Sequence, residues 1–537
     1  MLFGHVIDSQ NHGLTDDSGA VPPRVSTGIP LATCNRITLC RYGYFGILMD
    51  SPSLESPPGS EPIFDAIDPN GSRAPRGFSW LAWLVVILVI GFMLFTHLWH
   101  ETDSDSDPSA ILFEIQARYL VGASSVAPQG KDQIQTEIEL MFGKGSARQR
   151  MIGAVLMGEL VSPEQASKSL NDLETKFTDK SLDANEQDRE VNKFLQRIQS
   201  ALIEKQVITD TMTDDEWRTG SGLLIKRLGW VGRLALVPLG TPDGEGRGRL
   251  LEHARRTMFV MLGISGLALL AMACGAVLQL IFWIFAATGR LSSGIEPIRG
   301  NGAIYAETFA VWMVLFLALN YAVVLLPLPK WGLVWILIPQ IGGLGALAWP
   351  VFRGIRWSDV RKDVGLSFGR DAWSIPFVGI GGYLSALPLI GVAMLITLLM
   401  MAVANQLSGD GDGTSSPIHP IVEPILRGNW TVRLQLLLVA VFASVPEEIM
   451  FRGVLYRHLR DAGSKFGYVG SVIFAVLINS FVFAVIHPQG LFGIPILMSL
   501  AMVFTLMREW RGSIVPSIIA HAMVNAGTST ILLLIAD

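Results

Sequence analysis

The sequence predicts an all-α fold: a polytopic bundle of about nine transmembrane helices, eight of them in a core, with a helical extramembrane insert. Three observations predict it. Half of the 537 residues are hydrophobic and only 16% are charged. Apolar stretches of roughly 18 or more residues recur, each long enough to cross the hydrocarbon core as a helix. One long polar segment with helix-start signals separates the first stretch from the others.

Mean hydropathy is +0.43, and several of the 14 Trp residues sit at stretch ends, where interfacial aromatics belong. The net charge of -5 gives no case for nucleic acid as a partner; the bilayer is the expected surroundings. Cys34, Cys40 and Cys274 are scattered and make neither a disulfide framework nor a zinc knuckle. No Walker A loop, GxSxG elbow or HExxH helix occurs.

Residues 1–75 are rich in Pro, Ser, Gly and Asp and read as disordered. Texture changes at Met49, which admits a start there with residues 1–48 as an upstream extension. The first span is residues 79–99. Arg73 and Arg76 precede it and four acidic residues follow, which puts the amino terminus in the cytoplasm.

Residues 101–255 form the polar insert. Ser162-Pro163-Glu164 supplies a cap, a first-turn Pro and an acidic residue. Thr213 and Glu216 have capping-box spacing. Leu239 to Arg249 lacks the strand-Gly-helix context of a phosphate loop and reads as a linker. His97, His100 and Glu101 have metal-ligand spacing, but at a membrane boundary they read as interfacial polar residues.

The membrane core is residues 258–537. Its spans are expected at 258–287, 308–327, 332–352, 376–404, 432–459, 468–487, 491–507 and 513–536. Basic residues alternate between successive loops as nine crossings require, and the insert then lies outside the cytoplasm. Arg247, Arg249, Arg255 and Arg256 run against this pattern. Gly379, Gly381 and Gly382 are expected to permit close helix packing. His458, beside Arg457 and Arg460, reads as facing headgroups.

Ionisable residues within spans are costly and mark function. They cluster in the last four spans. Glu448 and Arg452, four apart, share a helix face and can pair, leaving Glu447 to face another cavity. Pro446 removes a backbone hydrogen bond beside them. Asn479, Phe483 and His487 form one stripe; His521 and Asn525 form another. A carboxylate with an imidazole can activate water, and a second His with an Asn can stabilise an oxyanion. Equally, Glu447, His487 and His521 can ligate Zn²⁺, leaving a position for water. The residues alone do not choose between these.

Glu447-Glu448-xxx-Arg452, Phe483-xxx-His487 and His521-xxx-Asn525, in this order and within apolar spans, resemble the signature of the CPBP family. That family comprises CAAX prenyl protease type II and Abi, or bacteriocin-immunity, proteins. The resemblance covers about residues 432–525 and leaves 1–255 outside. It implies an intramembrane endopeptidase. In it Glu447 and His487 activate water, His521 and Asn525 bind the oxyanion, and Glu448 and Arg452, with Phe483, support them. A family often called metalloprotease implies Zn²⁺ as a candidate cofactor. The implied substrate is a peptide or membrane protein, lipidated in the prenyl-protease case. The expected setting is a bacterial plasma membrane, or the endoplasmic reticulum for a eukaryotic source. A non-catalytic scaffold or immunity protein of the same fold, or a proton-coupled transporter, would use the same groups differently.

Depth arithmetic raises one tension. At 1.5 Å per residue, Glu448 lies roughly 21 Å above Ala462, but His521 only about 12 Å above Ser513. The two meet only if the turn before the last span is recessed into the membrane.

Overall fold

The computed structural model describes residues 77–100, 109–127, 130–182, 184–238, 244–295, 302–325, 335–368, 371–408 and 421–536. The expectations for residues 1–75, for Met49, for Glu101 and for the side chains of His97 and His100 lie outside the described residues.

The described residues of the insert form seven α-helices: α2 (Ser109–Val126), α3 (Lys131–Phe142), α4 (Ala147–Leu160), α5 (Pro163–Thr178), α6 (Glu186–Ile203), α7 (Asp214–Leu228) and α8 (Trp230–Leu236). Their starts follow the caps. The Ser162 hydroxyl accepts from Gln165 N, with Pro163 in the first turn. Thr213 and Glu216 close a reciprocal capping box. The insert buries its own apolar core, including Ile138, Phe142, Met151, Phe177, Leu195 and Leu228. It passes without a break at residue 255 into α9 (Gly244–Ala287), one helix of 44 residues. Arg247, near its start, donates to the Glu159 carboxylate of α4.

Among the described residues eight helices are long and apolar enough to cross a membrane; the chain is an integral, multi-pass membrane protein. They are α1 (Ser79–His100), α9, α10 (Gly302–Leu325), α14 (Ile375–Ser408), a continuous rod from Trp430 to Ala462, α18 (Gly467–Val485), α19 (Gly490–Arg511) and α20 (Val515–Ile535). The rod is α16 (Trp430–Glu448), a π-helical turn (Ile449–Leu455) and α17 (Tyr456–Ala462).

The remaining expected span, 332–352, departs from expectation. From residue 335 it is a shorter, broken helix, Leu337–Phe352. It comprises α11 (Leu337–Gly343), a tight turn (Leu344–Leu347) and α12 (Ala348–Phe352). Pro339, Gly342, Gly343, Gly345 and Pro350 in so short a stretch weaken a regular helix. The glycines bring it close against α10: a Cβ on Gly343 would lie 3.0 Å from Trp312 Nε1. At its far end Trp349 and Arg353 both donate to Glu307, at 2.9 and 2.8 Å.

The first span is not a loose appendage. Ala82, Val86 and Val89 of α1 share a core with Ile304, Phe309 and Phe451. Trp83 Nε1 donates to His458 Nε2 at 3.0 Å, and His458 Nδ1 lies 2.9 Å from the Gly302 carbonyl. His458 is therefore buried, at 5% exposure, and corrects the headgroup-facing expectation. Its neighbours on α17 meet charged partners rather than solvent: Arg460 pairs with Glu509 at 3.0 Å.

The turn before the last span is buried within the protein. After α19, Gly512 adopts φ +66°, and a Cβ there would lie 2.1 Å from the Gly294 carbonyl. Gly294 N donates to Glu509 O, Ile514 N to Gly365 O and Ser513 Oγ to Ser367 O. Residues 293–295 and 365–367 thus cap the turn, and Ser513 and Ile514 are buried. The last span thus starts inside the protein, and His521 meets Glu448 at 2.9 Å despite the counted depth difference. Of the three glycines on α14, Gly379 and Gly382 admit Ile519 and Met507 at close range; a Cβ on Gly381 would meet nothing.

Candidate active site

Three helices supply the site. Pro446 lies in the last turn of α16, and the helix widens into the π turn directly after Glu448. Such single turns carry strain and often accompany function. Gly453 in this turn lets it pack on Val364, which a Cβ would meet at 2.3 Å. His487 stands two residues past the end of α18, and His521 lies in the second turn of α20.

Glu448 and Arg452 are both fully buried, with Glu448 Oε1 2.9 Å from Arg452 Nη1. A buried guanidinium needs a counter-charge and a polarisable surround. Phe483, Phe504 and Phe451 supply the second, with ring centroids 4.4, 5.3 and 5.9 Å from the guanidinium carbon.

Glu448 Oε1 also lies 2.9 Å from His521 Nδ1. A carboxylate accepts, so Nδ1 carries the proton and donates. This turns His521 Nε2 toward Glu447, whose Oε2 is 3.8 Å away. Phe504 stacks on the His521 ring with centroids 5.3 Å apart. His487 is oriented in the same manner: its Nδ1 donates to the Phe483 carbonyl at 2.5 Å, and its Nε2 is also 3.8 Å from Glu447 Oε2. Glu447, His487 and His521 are each only slightly exposed.

One carboxylate oxygen and two imidazole nitrogens therefore converge. Asn525, a turn beyond His521, spends one Nδ2 hydrogen on the Ala440 carbonyl at 2.7 Å and retains a second. Asn479 of the expected stripe serves packing instead, donating to Thr505 Oγ1 at 2.9 Å. Phe504 and the double engagement of Glu448 were not legible beforehand. Phe504 is one aromatic among many in an apolar span, and sequence spacing does not show that Glu448 reaches a residue 73 positions away.

The zinc alternative meets a geometric test. Tetrahedral zinc with bonds of about 2.0–2.1 Å has ligand edges of roughly 3.3 Å, and the two separations here are 3.8 Å. Among the described residues no group of three or more His, Cys, Asp or Glu stands close enough to hold a metal ion. As placed, the three groups do not form a zinc shell.

No curated protein and no solved structure matches the chain. One family model does, over residues 429–527, the stretch from the start of α16 to beyond Asn525. All seven residues of the three motifs fall inside it, and this segment is similar to the family described as type II CAAX prenyl endopeptidase Rce1-like.

Proposed function

We propose that the chain is an intramembrane endopeptidase that hydrolyses a peptide bond with water activated by Glu447 and His487. The observation that carries this reading is the convergence of Glu447 Oε2 with the Nε2 atoms of His487 and His521, both imidazoles being oriented from behind.

A water has two hydrogens to give. In this arrangement one goes to Glu447 and the other to His487 Nε2, which leaves an oxygen lone pair aimed at the substrate carbonyl. As water attacks, Glu447 takes its proton and later delivers it to the departing nitrogen. The products are a carboxylic acid and an amine, so atoms balance. His521, protonated and backed by Glu448, presents an Nε2 hydrogen to the oxyanion, and Asn525 adds its second Nδ2 hydrogen. The charges also balance: Glu447 and Glu448 against Arg452 and protonated His521. No step in this reading is routed through a metal.

The family description points to prenylated CAAX peptides as the first substrates to try. The test is cleavage of a farnesylated CAAX peptide, beside its unprenylated form, by the full chain in proteoliposomes. The reading predicts turnover that Glu447→Gln lowers by about 10²–10⁴-fold with folding unchanged. Equal turnover by the variant would remove Glu447 as the base.

A further inference from the structure

We propose that a cavity between the insert and the membrane bundle binds the phosphodiester headgroup of an anionic phospholipid. The cavity measures about 200 Å³, far more than the roughly 10–15 Å³ that one water needs.

Its lining combines cationic and apolar side chains. The insert contributes Arg118 of α2, Arg148 of α4, Lys226 of α7 and Arg233 of α8. Among the described residues one carboxylate, Glu114, faces this group, and it already shares a bond with Arg118. Arg118 and Arg148 are 4% and 8% exposed, so these charges are held in place by the fold rather than waving in solvent. Trp230 lies under the Arg118 guanidinium at 5.8 Å. Four cations around one cavity favour an anion with several oxygens.

Apolar side chains complete the lining: Ile111 and Ile115 of α2, Leu426 and Ile535. These belong to one cluster joining the start of α2 to the ends of two membrane elements. Ile535 is the last residue of α20, and Leu426 lies in α15 (Val422–Arg427), just before α16. The cavity therefore sits where spans end, at the depth of headgroups. A soluble phosphate would use only the cations. A phospholipid uses both, with phosphate against the cations and glycerol and upper acyl chain against the apolar side chains, so the observations favour the lipid. The site is separate from the candidate active site: Ile535 stands 14 residues further along α20 than His521, a rise of roughly 21 Å.

The experiment uses the full chain, native mass spectrometry and thermal melting. The chain is reconstituted into phosphatidylcholine nanodiscs with and without phosphatidylglycerol, then released into detergent. The expected result is retained phosphatidylglycerol with a raised melting temperature, and no comparable retention of phosphatidylcholine. Lys226 and Arg233 are exposed, so K226E/R233E leaves the buried arginines and the fold in place. It is expected to weaken phosphatidylglycerol retention by about tenfold or more. Inorganic phosphate and glycerol 3-phosphate are added separately as competitors and should neither displace the lipid nor raise the melting temperature. Unchanged retention in K226E/R233E, equal retention of both lipids, or full protection by inorganic phosphate alone would each overturn the proposal.

Discussion

Glu448 holds two partners on one oxygen, Arg452 and His521, each at 2.9 Å. This couples stability to chemistry at a single side chain. Glu448→Ala leaves Arg452 as a buried, uncompensated charge, a loss of about 3–5 kcal/mol, which thermal melting of the purified chain would read. The double variant E448L/R452M removes both charges and should regain much of that stability. It should not regain cleavage, because His521 loses the acceptor that orients it. Recovery of turnover along with stability would show that Glu448 acts only in packing. Part of this was legible in the sequence: the four-residue spacing of Glu448 and Arg452 gives their pairing directly. The His521 contact was not, because it depends on how two helices distant in sequence meet.

At the scale of elements, helix ends and small residues decide the arrangement. Asn185 accepts from Asp188 N at 2.8 Å and starts α6; Asn185→Ala should lower the stability of the insert by about 1 kcal/mol, measurable by denaturant unfolding. At the start of α7 the backbone N–H of Thr213, then Arg197, hold the Glu216 carboxylate below its ordinary range. A lowered folded pKa means the contribution is present above the ordinary carboxylate value and is lost as pH falls through the lowered one. Amide exchange in the first turn of α7 should therefore quicken on acidification, and Glu216→Gln should flatten that dependence. Within the bundle, Gly379→Val would drive a side chain against Ile519, which a Cβ already meets at 2.7 Å. The expected cost is about 1–3 kcal/mol. Caps and apolar runs could be read from the sequence because they are local. The break at 337–352 was open to the same reading through Pro339, Pro350 and the glycines between them, but the π turn was not: it reflects a neighbour, Val364 against Gly453.

Over the whole molecule, the recessed turn is what lets the account close. Counting residues from an assumed flat inner surface places His521 too shallow. Gly512 and Gly294 instead let residues 293–295 cap the turn, and His521 reaches the depth of Glu448. Sidedness remains the reading of the loop charges, with the insert and the loop before α14 on opposite faces. Leu140→Cys and Phe368→Cys, both at exposed positions, should react with a membrane-impermeant maleimide from opposite sides of sealed vesicles. Labelling of both from one side would contradict the charge-based topology.

The central claim is that Glu447, with His487 and His521, makes a water-activating site. The most direct measurement is the turnover of a farnesylated CAAX peptide by the wild-type chain and by Glu447→Gln, each with and without a chelator. The account predicts cleavage by the wild-type chain. It predicts near-complete loss in Glu447→Gln and no effect of the chelator. Wild-type-like turnover by Glu447→Gln, or loss on chelation that zinc restores, would contradict it.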